Sequence, residues 1–163
     1  MNSHSEALRV TVESAVLRLM AIPESETEVR RDGEWCAKEV VGHLIDSAAN
    51  NHARFVRAQL QEDLVFTGYD QGAWVRVTRA LDEPWAALVT LWHDYNLHLA
   101  HIIAGIPDET LRRPWVRHSL DQIAWQPIPA DRPATLEYLV LDYIGHLQDH
   151  VRQILALTGQ PTG

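Results

Sequence analysis

The chain has 163 residues, a length that fits one domain and leaves little room for two. With 46% apolar and 22% charged residues it reads as a soluble globular protein that can bury a sizeable core without staples. A net charge of −8, with acidic residues spread along the chain, disfavours nucleic acid and anionic membrane surfaces as partners.

A single cysteine, Cys36, excludes an intrachain disulfide and fits a reducing compartment. The segment MNSHSEALRV lacks a basic stretch followed by an apolar run, so no signal peptide is read there. No stretch approaches the roughly 18 apolar residues of a membrane span, and the expected location is the cytoplasm. Nine histidines stand out, because imidazole is the commonest metal ligand and the usual acid or base near neutral pH.

In chain order, the first helix is predicted from about Ser5 to Ala21, ending before Pro23. Its stripe is Leu8, Val12, Ala15, Val16 and Leu19. A polar connector, ESETEVRRDG, follows. The second helix is predicted from about Ala37 to Gln61. Cys36 and Glu39 have the spacing of a capping box, although a thiol is a poor substitute for Ser or Thr. Val41, Leu44, Ile45, Ala48, His52, Phe55 and Val56 form its apolar stripe. The segment FTGYDQGAW reads as loop and turn.

The third helix begins near Pro84, with Trp85, Leu88, Trp92, Tyr95, Leu99 and Ile102 on one face, and ends at Gly105 and Pro107. A connector of nearly thirty residues, rich in Pro, Arg and Trp, comes next. Such connectors often line sites, and this one has room to hide a short helix. The fourth helix is predicted from about Thr135 to Leu157, with Gly159 and Pro161 as stop signals. Nothing reads clearly as a strand. The expected fold is all-α, a four-helix bundle with a long connector before the last helix.

His146 and His150, four apart on one helix, lie one turn apart on the same face and can reach one ion. They flank the buried stripe of Leu136, Val140, Tyr143, Leu147, Val151 and Ile154, roughly 60 to 100° from its centre at about 100° per residue. A catalytic zinc typically takes three protein ligands and leaves one position for water, so a third must come from another element. His43 and His52, both on the second helix, compete for that place. Periodicity puts His43 on a polar face beside Asp46, Asn50 and Arg54, which reads as solvated, and puts His52 inside the apolar stripe. The residues alone leave the choice open.

The stretches WCAKEVVGHLIDSAANNHARFVRAQL and TLEYLVLDYIGHLQDHVRQIL resemble the second and last helices of the DinB-like superfamily. Its His-Leu-x-Asp element is matched by His43, Leu44 and Asp46. Its closing His-x-x-x-His, followed by Gln and Ile, is matched by His146, His150, Gln153 and Ile154. The resemblance implies a four-helix bundle with a three-histidine metal site in a cleft, here His43, His146 and His150. It implies one divalent ion, zinc first, with nickel or iron as alternatives. It further implies a small-molecule substrate, in some relatives a low-molecular-weight thiol, and a homodimer. Cys36 departs from the Ser or Thr often found before the Lys-Glu of the second helix, which touches the cap and not the ligands.

A three-histidine site leaves the ion its full charge. Bound water would be drawn toward hydroxide and a bound thiol held as thiolate, so both hydrolysis and thiol transfer fit, and a non-catalytic metal-binding or stress-associated protein is the rival. Asp46 and Asp142 are the candidate catalytic acids, able to accept a ring N–H or to act as a base. Asp149 is a weaker one. His93, His98 and His101 form a rival cluster, read as solvated or interfacial. His4 is expected in a frayed terminus and His118 in a loop. Trp85 and Trp92 read as core. Trp74, Trp115 and Trp125, in connectors, read as pocket mouth or dimer surface.

Overall fold

A computed structural model describes residues 3–162. Four long helices build it: α1 (Ser3–Met20), α2 (Ala37–Arg57), α4 (Trp85–Ala104) and α7 (Leu136–Leu157). Three short ones lie in the connectors: α3 (Gln71–Thr78), α5 (Asp108–Arg112) and α6 (Leu120–Ile123). The architecture is the expected all-α four-helix bundle. Among the described residues the only β pairing is two isolated bridges, Leu64 with His118 and Trp115 with Ala134. No helix there is long and apolar enough to cross a membrane.

The connector before the last helix hides α5 and α6. The segment FTGYDQGAW is only partly loop. Asp70 caps a helix there, its carboxylate accepting the Ala73 N–H at 2.9 Å, and α3 runs on from Gln71. α2 stops at Arg57, one turn short of the expected Gln61. His4 is anchored, its Nε2 2.9 Å from Glu137 Oε1, where a frayed end was expected.

α4 packs on α1 and α2, while α7 packs on α2 and α1. The consecutive helices α1 and α2 therefore sit across the diagonal of the bundle, and α7 lies beside α2. That adjacency brings the histidines of the two motifs together. Aliphatic residues of all four helices fill the centre, with Trp85 and Trp92 buried as expected. Trp85 Nε1 donates to the Leu19 carbonyl at 2.8 Å, which ties α4 to the end of α1.

α2 is buried on two sides. Its apolar stripe faces the centre, with Val41, Leu44, Ala48 and Phe55 all shielded. The opposite, polar face is also shielded: His43, Asp46, Ser47, Asn51 and Arg54 are buried. The chain from residue 58 to residue 84 folds back across α2, and α3 packs on it. At Gly42 the approach is so close that an added Cβ would lie 2.7 Å from Ala80 Cβ. The polar face of α2 thus becomes the wall of an internal site.

Candidate metal centre and its cavity

α2 starts on the Cys36 N–H, which donates to Glu39 Oε2 at 2.9 Å. The Cys36 thiol is buried and its pKa is raised by burial, so it carries no reactive thiolate. Two turns further along, His43 projects from the polar face and is wholly buried. α7 starts on Thr135, whose hydroxyl oxygen accepts the Tyr138 N–H at 3.1 Å. His146 and His150 follow on its flank.

The three rings meet. His43 Nε2 lies 3.3 Å from His146 Nε2. The ring centroids are 5.2 Å apart for His43 and His146, 4.9 Å for His43 and His150, and 4.5 Å for His146 and His150. One nitrogen from each ring can be chosen so that all three lie within 4.8 Å of one another. Two ligands held at ~2.0–2.1 Å by a tetrahedral ion stand about 3.3–3.4 Å apart, so the closest pair already has the separation that such an ion imposes.

Protonation points the same way. Burial, then the neighbouring charge of His150, lowers the His43 pKa to about 4. Burial, then His150 and His43, lowers that of His146 to about 3. Both rings are neutral at pH 7, the form that ligates. His150 Nδ1 donates to Gln153 Oε1 at 2.7 Å, which leaves its Nε2 as a lone pair. Trp35 covers His43, with ring centroids 5.2 Å apart. The residues present therefore fit a divalent ion of the nitrogen-favouring kind.

A cavity of about 260 Å³ opens beside the rings. His146 and His150 line it, together with Tyr143 from the core of α7, Ser47, Asn51 and Arg54 from α2, Tyr69 from the returning chain and Trp125 from the last connector. Its size falls just below the ~300–1,000 Å³ typical of small-molecule sites. Trp125 lies against α7 at Gly145, where an added Cβ would come within 3.1 Å of the indole. Of the connector tryptophans, Trp125 lines this cavity, Trp74 lines a second hollow beyond Arg54 and Tyr69, and Trp115 packs against the core.

The two candidate acids differ. Asp142 lines the cavity, but both its oxygens accept backbone N–H groups, from Trp125 at 2.8 Å and Gln126 at 2.7 Å. It pins the connector onto α7. Burial raises its pKa against those two bonds. Asp46 is buried, has one oxygen without a partner, and is pushed up to about 6 by burial. The expected ring N–H contact to an acid is not made at His43, whose Nδ1 is buried without a partner.

His52, the rival of His43, is half-buried, with Nδ1 3.2 Å from the Tyr95 hydroxyl and its ring 5.2 Å from that of His98. His98 and His101 are exposed, as read from the sequence. The residues that sequence reasoning missed at the cavity are Ser47, Asn51, Arg54 and Tyr69. For the three on α2 the signal was the polar recurrence at 43, 46–47, 50–51 and 54, which has helical spacing and was assigned to solvent; Tyr69, in the connector, had no such signal.

The fold and the placing of the histidines agree with the DinB-like resemblance. In sequence and in fold the chain is similar to YfiT of Bacillus subtilis. Over 128 residues the chain is 23% identical to YfiT of Bacillus subtilis (strain 168), which is named as a candidate metal-dependent hydrolase. The match spans 78% of this chain and 66% of that protein, just under two thirds of its length. The solved structure of YfiT, described as a probable metal-dependent hydrolase with an unusual four-helix bundle topology, superposes with a TM-score of 0.77. That likeness covers 97% of this chain and 87% of the other at 20% identity. No family model matches the sequence.

Proposed function

We propose that His43, His146 and His150 hold one divalent metal ion, zinc first and nickel or iron as alternatives, and that the chain is a metal-dependent enzyme acting on a small electrophilic or ester-like substrate. The observation that carries this reading is the convergence of three ligand nitrogens within 4.8 Å, two of them on rings kept neutral by burial. The open cavity on the side of His146 and His150 favours turnover over a purely structural ion, because structural sites are closed by protein ligands. Bound there, the ion would supply Lewis acidity and an activated hydroxide or thiolate.

The chain's own residues do the rest. His150 is held in one tautomer by Gln153. Trp35 packs on His43, and the Trp125 ring lies 6.3 Å from that of His146 at the cavity wall. Of the two acids only Asp142 lines the cavity, but both its oxygens are committed to backbone groups; we assign the acid–base role to Asp46, three residues from His43, whose unpartnered carboxyl near pKa 6 can exchange a proton near neutrality. Hydrolysis and transfer of a low-molecular-weight thiol both fit this arrangement.

Metal analysis of tag-free protein after repletion tests the reading, with about one equivalent per chain expected and less than half an equivalent sinking it. His150→Ala and His43→Ala should each abolish tight binding. Loss on His52→Ala with retention on His43→Ala would reassign the site. A screen of esters and amides, and of low-molecular-weight thiols with a model electrophile, separates the two reactions. Activity that survives chelation contradicts both.

A further inference from the structure

Arg54 is the group that the metal reading leaves unused. It is 7% exposed, and among the described residues no carboxylate lies within ion-pair distance of it. Among the described residues its one hydrogen bond is a long one, Nη1 to Asn51 Oδ1 at 3.5 Å. A guanidinium has five N–H donors and does not deprotonate in proteins, so most of its hydrogen-bonding capacity is unspent. Burial pulls its pKa down, and Tyr69 and Asp142, acting at a distance, only partly oppose that. A buried, unpaired cation costs stability, and such groups are retained where they meet a partner that is not part of the fold.

The guanidinium lines the same cavity as His146 and His150. We propose that Arg54 is the anchor for a carboxylate group of the substrate, whose reacting part lies toward the histidines. The planar fork of arginine matches a carboxylate in a two-point contact. Ser47, Asn51 and Tyr69 line the same cavity as neutral polar groups, and the Asn51 amide is held by the Ser47 carbonyl at 2.9 Å. The charge count selects a single negative charge: one cation faces the cavity, and Asp142 already brings one carboxylate to its wall. In the metal-free protein a phosphate dianion would carry a second charge with nothing on the cavity wall to meet it. Arg54 also borders the second hollow, where Arg57 is solvent-exposed, but only the first hollow contains the histidines. The assignment of a substrate rests on the metal-enzyme reading, whereas the anion subsite itself does not.

The test uses the full chain, both zinc-loaded and stripped by chelator, with benzoate, neutral benzamide and inorganic phosphate as probes. Dissociation constants come from ligand-observed proton and phosphorus NMR at low salt. In stripped protein, benzoate is expected to bind at least tenfold more tightly than benzamide or phosphate. Arg54→Met should weaken benzoate at least tenfold, and Arg54→Lys, which keeps the charge and loses the fork, should fall between. Arg54→Met should also melt at the same temperature as wild type or higher, and keep its zinc stoichiometry. Unchanged benzoate affinity in Arg54→Met, or phosphate binding as tight as benzoate, overturns the proposal. So does a destabilised or unfolded Arg54→Met, which would make the arginine structural. Benzoate binding that depends on Arg54 in a protein that takes up no zinc would retain the subsite and remove the metal reading.

Discussion

α2 carries two buried cations, one near each end, and the fold treats them differently. Lys38 is 4% exposed, and its ammonium touches two carboxylates, Glu24 at 2.7 Å and Glu28 at 2.8 Å. Burial pulls the Lys38 pKa down, but the two hydrogen bonds more than reverse this, and the net shift is upward. Glu24 also accepts the Trp85 N–H at 3.0 Å, so this cluster joins the first connector, α2 and the start of α4. Arg54, sixteen residues on, has no such carboxylates and faces a cavity. The same helix thus shows a charge whose partners come from the fold and a charge whose partner does not. The first kind maintains structure. The second marks the place where structure has been given up for binding.

The sharpest way to calibrate that contrast is the residue next to Arg54. Phe55 is fully shielded on the apolar side of α2, its ring 5.8 Å from that of Tyr143. Phe55→Ala removes a large buried ring and should destabilise by about 3–5 kcal/mol in denaturant unfolding. Adjacent buried positions would then differ in sign, with Phe55 carrying the fold and Arg54 burdening it. A loss of similar size at both would erase the distinction.

A smaller effect is expected at the paired cation. Lys38→Met leaves Glu24 and Glu28 more than half exposed, free to hydrate, so the loss lies between that of a surface pair and that of a broken buried pair. About 1–2 kcal/mol is expected. Thermal unfolding reads this as a fall of a few degrees for a chain of this size. Lys38→Met melting at or above the wild-type temperature, as Arg54→Met should, would mean that the carboxylates do not distinguish the two sites.

The contrast also explains what the sequence could and could not tell. The four long helices were legible because their apolar stripes repeat at helical spacing and Pro and Gly mark their ends. His146 and His150 were legible because four residues is one turn. His43 was not, because periodicity reports which face meets the aliphatic core and says nothing about a second burial surface. The returning chain around Tyr69, α3 and Ala80 creates that surface, and its own helix was hidden in a segment that reads as turn. His43, Ser47, Asn51 and Arg54 therefore looked like a solvated stripe. Only resemblance to the DinB-like motif picked His43 over His52. Lys38 and Arg54 are likewise indistinguishable as letters in a helix, because their partners are set by tertiary packing.

A third charged group on α2, Asp46, extends the comparison to an acid. Like Arg54 it is buried and under-partnered, and its pKa is raised by burial from the ordinary 3.8 to about 6. As pH falls below about 6, the native state takes up this proton before the unfolded chain does, so Asp46 adds stability as pH falls from about 6 to 3.8 and its full burden is present above 6. The metal-free histidines run the other way. The pKa values of His43 and His146 drop from 6.5 to about 4 and about 3, so the unfolded chain protonates first and stability is lost as pH falls below 6.5. Comparing wild type with Asp46→Asn cancels the histidines and isolates the acid. The variant should be more stable at pH 7 to 8, by on the order of 1 kcal/mol, and the gap should close between pH 6 and 4. If Asp46 also serves as the acid–base group, the same substitution lowers turnover while leaving zinc stoichiometry intact. A stability gap that does not move with pH would show that the Asp46 carboxyl is ordinary, and would return the acid–base role to Asp142.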